Sequence, residues 1–153
     1  GNLDDFINHL LLVVPFGLLL GEALHVGRDR LAQVFNVLVF GIDLFGEIVV
    51  DVGQPFLLAG WAADLDAATG TGIDTLHVWA YPATGGAPVF LGTPTLGGVR
   101  PDVAAIHGDQ FRKAGFALSL AGLVPGAYDL AVFPWSTVTG AFAPPTTVHV
   151  TVR

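Results

Sequence analysis

Few side chains in this sequence have the type and spacing to do chemistry. The best metal candidate is the loop over residues 64–74, where Asp64, Asp66 and Asp74 alternate with glycines and could offer oxygen ligands to calcium. Its glycine falls one place from the EF-hand turn position and the terminal bidentate acid is absent, so a plain turn with aspartates bonding their own backbone is the favoured reading. The five histidines, His9, His25, His77, His107 and His149, are spread without ligand spacing. Ser119 and Ser136 are the only serines, and neither sits in a Gly-x-Ser-x-Gly elbow. His-Glu-x-x-His and phosphate-cradling Gly-x-x-x-x-Gly-Lys patterns are also missing, so the expectation is a protein that is not an enzyme and carries no cofactor. Arg100 and Asp102, flanking Pro101, read as an internal ion pair or helix cap in preference to a ligand-recognition site.

The elements that must position these groups are strands. The segment Leu123-Val124-Pro125-Gly126-Ala127-Tyr128 is a Pro-Gly turn running into an alternating stretch in which Tyr128, Leu130 and Val132 share one face. A tyrosine just after such a turn can bury its ring and return its hydroxyl to nearby backbone, the tyrosine corner of immunoglobulin-like sandwiches. Candidate strands cover residues 48–52, 55–62, 75–81, 88–92, 115–121, 127–133 and 146–152, separated by Gly, Pro, Asp and Thr clusters. The long connection over 93–113 holds a helical turn at 101–105, since Pro suits the first helical position and Asp102 favours the helix N-terminus. The expected fold is all-β: an immunoglobulin-like antiparallel β-sandwich of about seven strands.

Strand parity then groups the large aromatics. With Leu76, Val78 and Ala80 facing the core, His77, Trp79 and Tyr81 share the outer face; with Leu130 and Val132 inward, Phe133 and Trp135 face outward. In immunoglobulin topology these two strands are neighbours, so the five side chains form one strip able to stack on sugar rings or receive another domain. The opposite parity makes Trp79 the buried core tryptophan, and both readings are open at this level.

Composition narrows the partners. Hydrophobic residues make up 52% and charged residues 12%, which excludes a disordered chain and points to apolar surface that meets a partner or another domain. A formal net charge of -7 with scattered basic residues disfavours nucleic acid and anionic membrane. There is no cysteine, so disulfides and thiolate metal sites are excluded. Residues 1–50 hold no Ser, Thr, Lys, Tyr or Trp, whereas threonine is frequent after residue 68. Residues 1–46 are therefore read as a hydrophobic N-terminal extension and 47–153 as the sandwich. Leu10, Leu11, Val14 and Leu18, then Leu31, Val34 and Leu38, lie at helical spacing, although the β-branched content over 35–52 fits strand equally well. With Gly1 first and no methionine anywhere, the chain reads as a fragment or processed piece. The extension is either a cut upstream domain or wrong-frame translation of a GC-rich gene. The apolar run over 10–20 is too short for a membrane span and Asp4-Asp5 before it is the wrong charge for a signal peptide, which leaves a truncated anchor as a minor alternative. Deleting residues 1–45 is expected to leave a folded domain.

Three landmarks combine: Gly60-Trp61-Ala62-Ala63-Asp64; Gly98-Val99-Arg100-Pro101-Asp102-Val103; and Gly115-Phe116-Ala117-Leu118 leading through Ser119-Leu120 to Leu123-Val124-Pro125-Gly126-Ala127-Tyr128. Together they resemble the immunoglobulin-like modules of bacterial secreted and cell-surface proteins, over about residues 48–153. The lead-in Gly46-Glu47-Ile48-Val49-Val50-Asp51-Val52-Gly53 departs from the Pro-Gly-type start usual in that family. The resemblance implies structural roles for Trp61, Arg100, Asp102 and Tyr128. It also implies an extracellular or cell-surface location, with neighbouring domains, surface proteins or glycans as partners. It leaves three functions open: a spacer or docking module, a carbohydrate-binding accessory module using the aromatic strip, and a calcium-rigidified adhesion repeat.

Overall fold

Alternation of apolar and polar residues decides which side of each strand enters the core. The computed structural model describes residues 33–39 and 48–153, and these are mostly β. The elements run β1 (Gln33–Val39), β2 (Val49–Val50), β3 (Phe56–Ala63), β4 (Ile73–Pro82), β5 (Val89–Gly92), β6 (Thr95–Gly98), α1 (Pro101–His107), a 3-10 turn (Asp109–Phe111), β7 (Gly115–Leu120), β8 (Gly126–Ser136), β9 (Ala141–Phe142) and β10 (Thr146–Val152). One sheet has the order β1-β3-β7-β6. The other has the order β2-β10-β8-β4-β5, with β9 paired to β8.

Pairing is antiparallel throughout except between β2 and β10, which are parallel. The inward residues of both sheets meet in one core: Phe56, Leu58 and Ala62 of β3 and Phe116 and Leu120 of β7 from one side, Leu76, Val78 and Ala80 of β4, Leu130 and Val132 of β8 and Val150 of β10 from the other. A second, smaller cluster lies behind the first sheet. There Trp61 and Ala63, on the opposite face of β3, are covered by Val103 of α1 and by Phe111 and Ala114. The Trp61 ring lies 5.4 Å from that of His107, so Trp61 is a structural side chain that seats the helical segment.

The strands read from alternation are present with ends shifted by a few residues. β8 runs on past residue 133 through Pro134: proline lacks an amide donor, but its carbonyl still accepts from the Ala143 amide at 2.8 Å. The helix extends to His107, and β6 and β9 are strands in stretches whose sequence pattern reads as connection.

The main difference concerns the extension. Gln33–Val39, part of a stretch whose Leu31, Val34 and Leu38 spacing fits a helical face, is a strand that pairs with β3 from Gln33 opposite Ala63 to Val39 opposite Leu58. The expectation that the sandwich strands all lie beyond Glu47 is corrected accordingly, and of the two readings left open over 35–52 backbone pairing along the edge of β3 selects strand over a weak helical periodicity. The helical face over 10–18 and the apolar run over 10–20 lie outside the described residues. Among the described residues no helix is long and apolar enough to cross a membrane.

The turn before β8 carries its own lock. The Tyr128 ring is buried, and its hydroxyl donates to the Val124 carbonyl at 2.9 Å. Tyr128→Phe should therefore lower stability by about 1 kcal/mol, the net contribution of one such hydrogen bond, with little change in folded structure. An unchanged urea midpoint would show that the bond contributes nothing.

Candidate functional site

The outer face of the six-stranded sheet gathers the large aromatics. On β4, Leu76, Val78 and Ala80 are fully buried, while His77 and Trp79 between them are half-buried and Tyr81 is 40% exposed. On β8, Leu130 and Val132 are fully buried, and Phe133 and Trp135 are half-buried. Trp79 is thus on the outer face and not in the core.

Register sets these residues in rows across the strands. Tyr81 stands opposite Asp129, which stands opposite His149 of β10. Next come Phe90 of β5, Trp79, Ala131 and Thr147. His77 faces Phe133 in the third row, and Thr75, Trp135 and Phe142 of β9 make the fourth.

The rings form a continuous chain. Trp79 lies 4.9 Å from Phe90, Phe90 5.4 Å from His77, His77 4.6 Å from Phe142, and Phe142 4.9 Å from Trp135, all between centroids. Their planes are inclined at 47° to 81°, within the tilted and edge-to-face range that aromatic pairs prefer. Phe90 and Phe142, at 46% and 40% exposed, complete this surface and were missed by sequence reasoning. Each sits in a short strand at the margin of the sheet, and only the pairing of that strand puts its ring beside His77. Beyond the rings, the Asp129 carboxylate holds His149 Nδ1 at 2.9 Å in an exposed pair.

The aspartate loop is built differently. Asp64 is buried; one carboxylate oxygen accepts from the Ser136 hydroxyl at 2.5 Å and the other from the Asp66 amide at 3.0 Å. Ser136 Oγ in turn accepts from the Val138 and Thr139 amides, so the group clamps the 64–74 loop to the end of β8. Asp66 and Asp74 are exposed. Among the described residues no three His, Cys, Asp or Glu side chains converge as ligands for a metal ion.

Arg100 is buried and grips Asp102 with two hydrogen bonds, Nε to Oδ1 at 2.8 Å and Nη2 to Oδ2 at 2.6 Å. No side chain caps α1 at Arg100, so of the two roles considered for the pair it plays that of an internal ion pair. The hydrogen bonds from Arg100 hold the Asp102 carboxyl below its ordinary pKa, against the opposing effect of partial burial. A carboxylate whose folded pKa is depressed contributes stability that is fully present above the unfolded value and is lost as pH falls through the folded value. Wild type and Asp102→Asn should therefore differ in denaturation midpoint at neutral pH and converge in acid. Because Asp102 is more than half exposed, solvent screening keeps the difference small. A gap that persists below the carboxylate range would contradict this assignment.

No family model matches this chain, and no curated protein matches it. Among solved structures, it is similar to the superoxide reductase (neelaredoxin) from Ignicoccus hospitalis, with a TM-score of 0.46 and 11% identity over 80% of each chain. It is also similar to a Niemann-Pick type C2 protein from Japanese carpenter ant, with a TM-score of 0.48 and 5% identity over 84% of this chain and 96% of that one. A third similarity is to domains 4 and 5 of the S-layer protein SbsC, with a TM-score of 0.35 and 12% identity over 79% and 53%. At these scores and identities the shared chain course is too loose to relate family or function.

Proposed function

We propose that this chain is a non-catalytic immunoglobulin-like module of a bacterial extracellular protein, which docks surface partners or neighbouring domains through the outer face of its six-stranded sheet. The observation that carries the reading is the continuous aromatic surface of Trp79, Phe90, His77, Phe142 and Trp135. A solvated sheet face ordinarily carries polar side chains; rows of aromatics there are the composition of a contact surface.

The strand orders support the immunoglobulin-like assignment. β1-β3-β7-β6 corresponds to the ABED sheet, β10-β8-β4 to the GFC sheet, and Tyr128 occupies the corner position near the start of the strand equivalent to F. A calcium-rigidified repeat is disfavoured, since the Asp64 carboxylate is committed to Ser136 and the Asp66 amide. Ser136 is fully buried and donates to that carboxylate, so its hydroxyl is out of reach of a substrate, which supports a non-catalytic role.

The test is co-sedimentation with a bacterial cell-envelope fraction. Wild-type chain should pellet with the envelope, and the Trp79→Ala/Trp135→Ala double variant should stay in the supernatant while keeping a cooperative thermal transition. Equal partition of the two folded proteins would refute docking through this face.

A further inference from the structure

We infer that the aromatic face binds a neutral, linear oligosaccharide, a conclusion that rests on the docking reading and names its ligand class. Three observations point the same way. First, the face mixes ring surfaces with unpaired polar atoms. The Trp79 and Trp135 indole N–H groups and the Tyr81 hydroxyl make no hydrogen bond to any described residue, and Asp129 keeps one carboxylate oxygen beyond its bond to His149. A purely apolar partner face would bury these donors and acceptors without partners, each at a real cost, whereas a polyol stacks its C–H faces on the rings and pairs its hydroxyls with the polar atoms between them.

Second, the charge among the described residues of the face is set against anions. The Lys and Arg side chains among the described residues are Arg100, Arg112, Lys113 and Arg153. None stands in the four rows that hold the aromatics, and Arg100 and Arg112 are engaged by Asp102 and Asp109. Among the described residues, an anionic chain would meet the Asp129 carboxylate with no Lys or Arg in the rows to offset it. Third, the rows are in line. From Tyr81 to Thr75, which faces Trp135, is six residues of extended strand, about 20 Å at the usual rise, room for several pyranose rings in succession. A hexasaccharide should therefore bind more tightly than a disaccharide of the same linkage.

Calorimetric titration of the full 153-residue chain with cellohexaose, xylohexaose, mannohexaose and chitohexaose tests this, with a heparin hexasaccharide as the anionic probe. At least one neutral hexasaccharide should bind. Trp79→Ala and, independently, Asp129→Ala should each weaken it about tenfold or more, the scale of losing one central contact. Asp129 is exposed, so its substitution leaves the core untouched and remains informative if the tryptophan variant unfolds. Binding that neither substitution weakens, or binding of heparin in preference to every neutral sugar, would overturn the inference. If none of the four neutral sugars binds while envelope co-sedimentation still depends on Trp79 and Trp135, the sugar assignment fails and the docking role stands. Loss of both means that the docking reading itself fails.

Discussion

Deleting residues 1–45 should destabilise the remaining protein and make it self-associate. The strand β1 in that segment makes five registered pairs with β3. At about 0.5 to 1.5 kcal/mol net for each ladder hydrogen bond, its removal costs on the order of 3 kcal/mol, a large part of the stability of an ordinary domain. The newly exposed edge is an apolar eight-residue strand, Phe-Leu-Leu-Ala-Gly-Trp-Ala-Ala, without a single charge. Such an edge is a template for pairing with another copy. Chemical denaturation and sedimentation velocity check both parts: the midpoint should fall, and the sedimentation coefficient should rise with concentration. A truncated chain that stays monomeric at the wild-type midpoint would show that β1 is dispensable. Composition, which divides the chain near residue 47, leads only to the expectation that the truncated chain still folds.

Gly72→Ala should be the most damaging single methyl addition in the 64–74 loop. Gly72 has φ of +72°, a conformation that costs an L-residue about 1 to 2 kcal/mol. An added Cβ would also lie 2.7 Å from Ala67 Cβ and 2.8 Å from Asp64 Cβ, atoms that move only with their own backbone. Relieving that overlap adds about 1 to 3 kcal/mol, for a total of about 2 to 5 kcal/mol. The displaced segment is also the one that holds β8: the Gly72 carbonyl accepts from the Thr137 amide at 2.9 Å, and the Thr71 carbonyl from the Asp64 amide at 2.8 Å. Gly70→Ala is the matched comparison, since Gly70 also has positive φ but a Cβ there meets nothing within 4 Å. The difference between the two variants in urea unfolding isolates the crowding. Equal losses at both positions would mean that backbone conformation alone accounts for the effect.

Local and periodic features were legible in the sequence because their causes lie within a few residues. The two-residue period of β4, with Leu76, Val78 and Ala80 against His77, Trp79 and Tyr81, assigns each side chain a face once either face is placed in the core. The Tyr128 lock is equally local, its acceptor lying four residues back on the turn. The Arg100 to Asp102 bond spans two residues. What periodicity left open was the choice of face. Tertiary packing made it, by burying the small and aliphatic side of β4 against β3 and β7 and leaving the aromatics outside.

Pairings between distant segments were decided only by the tertiary structure. Asp64 and Ser136 meet across 72 positions, so an aspartate that reads as a turn residue bonding its own backbone, as it does to the Asp66 amide, is also a buried anchor for the end of β8. Phe90 and Phe142 enter the aromatic face because β5 and β9 add to the margins of β4 and β8, and neither strand is long enough to display a period. β1 joins β3 although its composition belongs to the preceding segment. Side-chain alternation is dictated by the geometry of the strand itself, and so the sequence alone determined the strand character of the longer elements such as β4 and β8 and the grouping of Trp79 with His77 and Tyr81. Which edges pair depends on hydrogen-bonding and apolar partners far away in the chain, and so only the folded structure decided how that group becomes a continuous surface.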